Sequence, residues 1–173
     1  MTWTSFHSRG ETLRDVIDAV DARRDGRLPH DLPGVSACFD DDLDLVGALQ
    51  LRWHTRLAGR IERALSDQPM RLEDAVVSAW VHTATEMPGV RAVIDRHVAE
   101  PTDDRMAEAL AKALAKERVL LAAMSGRSGT TGPQAVAVGA RIEERARAAY
   151  AATGARDSRP RGLLDRLRAA LAA

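Results

Sequence analysis

Apolar residues recur at three- and four-residue intervals along most of the chain, and no stretch alternates convincingly with period two. That spacing lines one side of a 3.6-residue helix. The pattern therefore predicts an all-α protein: an antiparallel helical bundle of five to seven helices, in a single domain with a short C-terminal amphipathic helix. Ser8 and Glu11 form a candidate capping box ahead of Leu13, Val16, Ile17 and Val20, and Gly26 stops that helix. The stretch Leu28 to Gly34, stiffened by Pro29 and Pro33, reads as a connector. A second helix is predicted from about Asp40 to Leu65, with Asp40, Asp41, Asp42 and Asp44 complementing its N-terminal dipole. A third spans about Leu72 to Glu86, and Pro88 opens a fourth that reaches about Val98. Thr102 is the expected N-cap of a fifth, which runs to about Met124. A Gly/Ser/Thr connection over 125–133 leads to a sixth, ending near Ala152. The reading divides the chain into a bundle domain, residues 1–153, and a linker plus short amphipathic helix, residues 154–173. Leu163, Leu164, Leu167 and Leu171 form the apolar edge of that last helix, flanked by Arg161, Arg166 and Arg168.

Several polar residues interrupt these apolar faces. Glu117 falls at the centre of a stripe made by Met106, Leu110, Ala113, Leu114, Leu120, Leu121 and Met124. Gln50 and His54 fall inside the face of Leu43, Val46, Leu57, Ile61 and Leu65, with Trp53 on its margin. His97 shares a side with Val90, Val93 and Ile94, while Glu86 lies near Leu72, Val76, Ala79 and Thr83 at a helix end. A carboxylate in an apolar stripe must find a partner or take a proton, since burying it alone is too costly. His54 and His97 are the natural partners for Glu117. One reading makes Gln50, His54, Glu86, His97 and Glu117 a buried polar network that fixes helix register. The sharper reading makes His54, His97 and Glu117 a metal site, for which imidazole and carboxylate suit zinc or iron. No Glu or Asp has His three positions later, so the paired Glu-x-x-His signature of di-iron bundles is absent.

Composition narrows the function classes without choosing one. Aromatic residues make up only 3% of the 173, which starves strands and agrees with helices. Cys38 is the only cysteine, so neither a disulfide nor a cysteine-based zinc site forms within one chain. Met1 to Gly10 lacks the apolar run of a signal peptide, and no window reaches the length of a membrane span; a cytoplasmic location is expected. The formal net charge is +0, but residues 1–46 carry 10 acidic against 5 basic side chains, and residues 127–173 carry 4 against 9. The two ends are thus expected to attract. A DNA-binding regulator is the minor alternative, through a helix-turn-helix over Leu72 to Val98 that would present Arg91, Asp95 and Arg96. Stacking aromatics are missing from the basic tail, which weighs against nucleic acid.

Catalytic motifs are wanting. No serine sits in a Gly-x-Ser-x-Gly elbow, Gly126 to Gly132 lacks the Gly-Lys-Ser/Thr ending of a phosphate loop, and His82 with Glu86 lacks the second histidine of a zinc protease. The expectation is a non-enzymatic interaction or assembly module without a resident cofactor. Its partner would be a second copy or another protein, reached through the C-terminal helix. A metal- or small-ligand-binding bundle is the alternative.

Overall fold

The computed structural model describes residues 3–67, 69–127 and 132–157, and among them every regular element is a helix. In chain order these are α1 (Trp3–Arg23), α2 (Val35–Cys38), α3 (Asp42–Asp67), α4 (Leu72–Glu86), α5 (Pro88–Ala99), α6 (Asp104–Met124) and α7 (Gly132–Asp157). The all-α bundle follows from the periodicity, and the boundaries of α3 to α6 fall within two residues of those the spacing predicts. Three details differ. α1 already begins at Trp3, so Ser8 lies inside it and cannot be its cap. The cap of α6 is Asp103, whose side chain accepts from the Met106 amide at 2.7 Å, and not Thr102. α7 continues through Gly154 to Asp157, past the predicted start of a linker. The leucines at 163, 164, 167 and 171 lie outside the described residues.

α3 is the central element. Leu45, Val46, Leu49, Trp53, Leu57 and Ile61 on it are at most 1% exposed, and they meet Val76 and Trp80 of α4, Val90, Val93 and Ile94 of α5, and Leu121 of α6. Trp53, expected at the margin of the face, is instead fully buried at its middle, while Leu43 and Leu65 sit at its edges. Two glycines let helices touch backbone to backbone. A Cβ on Gly89 would lie 1.9 Å from the Val20 carbonyl oxygen, and one on Gly139 the same distance from that of Arg118. Only hydrogen fits at either crossing, α1 on α5 or α6 on α7. Asp21 of α1 accepts from the amides of Gly89 (2.7 Å) and Val90 (3.2 Å), capping α5 from a neighbouring helix. Burial pushes its carboxyl above the ordinary value, against the pull of those two amides.

Helix directions fix which ends lie together. Arg105 at the start of α6 bonds Asp41 just before α3, and Glu117 farther along α6 meets Gln50 and Trp53. α3 and α6 therefore run the same way. α7 runs antiparallel to α6, with Gly139 on Arg118, and packs on α6 and α4. Among the described residues no helix is long and apolar enough to cross a membrane.

Candidate functional site

The Glu117 side chain is fully buried, and hydrogen-bond donors from α3 and α4 reach its carboxylate. Oε2 accepts from the Trp53 indole at 3.0 Å and from Gln50 Nε2 at 3.4 Å; Oε1 accepts from the Trp80 indole at 3.2 Å. The compensating charge is Arg91 of α5, only 4% exposed, with Nη1 3.6 Å from Oε1. Its guanidinium carbon lies 4.9 Å from the Trp53 ring centroid, and Trp53 meets Trp80 edge to face at 5.6 Å. Indole N–H groups, a guanidinium and aromatic faces thus enclose one anion, although Arg91 Nη1, buried at 3.6 Å from it, makes no hydrogen bond.

The tie extends outward as alternating charge. Arg91 Nη2 donates to Asp95 Oδ1 at 2.6 Å, Arg147 of α7 donates to both Asp95 oxygens at 2.7 and 2.9 Å, and Arg147 also reaches Glu143. Glu143 accepts from Arg118 at 2.9 Å. Burial pushes the Asp95 carboxyl up, but hydrogen bonds and charge from Arg147 and Arg91 prevail and hold it below the ordinary value. Hydrogen bonds from Arg147 to Asp95 raise the arginine in turn.

The structure separates the residues that sequence reasoning had grouped. Gln50 and Glu117 meet. His97 is buried, but its Nδ1 pairs with the Val93 carbonyl oxygen at 2.8 Å, one turn back on α5. His54 is half-buried and lines a surface groove. Glu86 stands at the surface, held by Arg56 and Arg60. Its carboxyl falls from 4.5 to about 2, chiefly through the Arg56 hydrogen bond, with Arg60 adding to it and burial opposing. Histidines do not partner Glu117, because two indoles, an amide and a guanidinium occupy its oxygens. Among the described residues no three His, Cys, Asp or Glu side chains come together as a metal-binding group, so His54, His97 and Glu117 do not converge. Of the three side chains expected on a recognition helix, Arg91 and Asp95 are bound into this tie, whereas Arg96 is exposed.

Arg91, Trp80, Asp95 and Arg147 are the members that sequence reasoning missed. Their signal was present. Arg91 is 60° from Ile94 on the helical wheel, at the flank of the apolar stripe, and a buried glutamate requires a cation. Two tryptophans in helical cores also require acceptors for their indole N–H groups.

Two open grooves lie on the outer side of α3, and Gln50 of the tie lines one of them. Leu43, Gly47 and Leu51, four residues apart, form a ridge there, and Leu51 is 67% exposed. On one side a cavity of about 720 Å³ lies against α1, where Gly10, Leu13 and Ala48 complete its walls and Arg9 and Arg52 its rim. On the other a cavity of about 340 Å³ lies against α6, lined also by Gln50, His54, Ala109, Leu110, Ala113 and Lys116. Compared with protein-family models, with curated proteins and with solved structures, the chain matches none.

Proposed function

We propose that the protein is a binding module that docks an apolar helical segment on the outer face of α3, rather than an enzyme. The observation that carries this reading is the Leu43–Gly47–Leu51 ridge, which stands between two grooves with its last leucine in solvent. Leu51 in solvent between two mainly apolar grooves fits helix-in-groove recognition. Glycine supports the reading. Gly10 and Gly47 sit inside helices, where each costs about 0.5–1 kcal/mol relative to alanine. A Cβ on either would meet nothing within 4 Å, so no described part of the chain uses the room they leave.

The test is fluorescence anisotropy with a labelled helical peptide that carries leucines at four-residue steps. It is titrated into the full chain and into a Leu167→Asp variant, which disables the chain's own leucine edge. Saturable binding to at least one is expected, weakened roughly tenfold or more by Leu51→Asp, as the loss of one buried leucine requires. No saturable binding to either protein would overturn the reading.

A further inference from the structure

The charged side chains beside the α3 ridge are of nearly one sign. Arg9, Asp44 and Arg52 line the groove against α1, and His54 and Lys116 that against α6. Asp44 is the one carboxylate among these, and Arg9 donates to both its oxygens at 2.7 and 2.9 Å. That pair cancels, so Arg52 and Lys116 set the charge of the face. Both are exposed, and among the described residues neither side chain joins an ion pair or a hydrogen bond. The two stand at one level along α3. Gln50 and Trp53 bond Glu117, the chain neighbour of Lys116, which puts Lys116 abreast of Leu51 on one side while Arg52 follows Leu51 on the other. A helix seated on Leu51 therefore has a cation on either hand.

Nearby acids do not offset these cations. Asp42, which opens α3, is nine residues before Leu51. That is about 14 Å along the axis, beyond the screening length of about 8 Å at physiological salt. Asp41 is bonded to Arg105, and Asp42 lies 3.5 Å from His30. Arg52 also borders a pocket shared by Asp18 and Glu86, but Glu86 is held by Arg56 and Arg60. We infer that the segment taken by the α3 face is an acidic amphipathic helix, its apolar side chains on Leu43 and Leu51 and its flanking carboxylates paired with Arg52 and Lys116. The inference rests on the reading of that face as a docking surface, and adds the partner's chemistry to it. Apolar contact supplies the affinity, whereas charge chooses among leucine-bearing helices: an acidic one gains two pairs and a basic one meets two like charges. Each pair at so exposed a rim contributes little, so the choice is modest and fades with salt.

The probes are two labelled forms of the leucine peptide, with glutamates flanking the leucines in one and lysines in the other. Both are titrated into the full chain and its Leu167→Asp variant, and into each of these with Arg52→Glu and Lys116→Glu added. The two added changes are at exposed positions, and circular dichroism checks that the helices are intact. Before charge reversal the glutamate form should bind about tenfold more tightly than the lysine form at low salt, and the gap should narrow as salt rises to about 0.15 M. Reversal of the two charges should abolish or invert that preference. Equal affinity for the two peptides, or an acid preference that survives the reversal, would overturn the inference. In that event, binding that still depends on Leu51 would leave the docking face standing with a different occupant. Absence of binding by either peptide to any of these proteins would remove the face as well. Sedimentation equilibrium adds a check on the full chain: a dimer that Leu51→Asp separates into monomers would give the face to a second copy and overturn the acidic partner.

Discussion

Glu117 and Arg91 each owe their burial to the other. Removing the glutamate takes from Arg91 one of its two carboxylates, Asp95 being the other, and leaves two indole N–H groups without acceptors. Glu117→Ala should therefore cost about 3–5 kcal/mol in urea unfolding, the range for breaking one side of a buried pair. Glu117→Met combined with Arg91→Met should cost less than the sum of the two single changes, because neither charge is then left alone. Additive losses would show that the two do not act as a pair. Glu86 gives a prediction with a pH window. Its folded-state pKa, about 2, lies below the ordinary 4.5, so the ion pair with Arg56 and Arg60 stabilises the fold fully above about 4.5. That contribution fades as pH falls toward 2. Urea midpoints of the parent and Glu86→Gln should differ by a constant amount above pH 4.5 and converge below it. At this scale the sequence was half legible: the burial of Glu117, Gln50 and His97 follows from helical spacing alone. Their partners do not, because which stripe faces which depends on crossings between helices, and Trp53, Trp80 and Arg91 meet Glu117 across such crossings.

Among elements, the glycines divide by what surrounds them. Gly139 and Gly89 sit at backbone contacts that exclude a methyl group, whereas a Cβ on Gly59 in α3 would meet nothing within 4 Å. Alanine at Gly59 should stabilise the protein by about 0.5–1 kcal/mol through helix propensity. Alanine at Gly139 should instead destabilise it by about 1–3 kcal/mol or more, as α6 and α7 are forced apart. Thermal melts of the two variants check the opposite signs. Proline, glycine and acidic punctuation made most helix boundaries legible. Four-residue α2 carries too little periodicity to be read, and its start depends on Gly34 at φ 82°, a conformation that sequence spacing does not encode. The extension of α7 past Gly154 was missed because glycine in a helix weakens it without ending it.

For the molecule as a whole, the tie around Glu117 makes a claim about cooperativity. Trp53 of α3 and Trp80 of α4 bond the carboxylate of α6, Arg91 of α5 stacks on Trp53, and Arg147 of α7 lies 5.3 Å from the Trp80 ring centroid. Five helices thus share one cluster, and none can leave without exposing a charge or an indole to an unsatisfied interior. α1 joins them through the Asp21 cap on α5 and the close contact at Gly89. Separation of any one helix therefore costs nearly what separation of all costs, which is the condition for a single transition. Trp3→Phe leaves Trp53 and Trp80 as the only tryptophans, so fluorescence then reports the cluster while far-ultraviolet circular dichroism reports every helix. The two should trace the same urea curve with one midpoint. A loss of helical signal before the fluorescence change would show that α1 or α7 melts apart from the tie, and that the charges linking the helices do not bind the bundle into one unit.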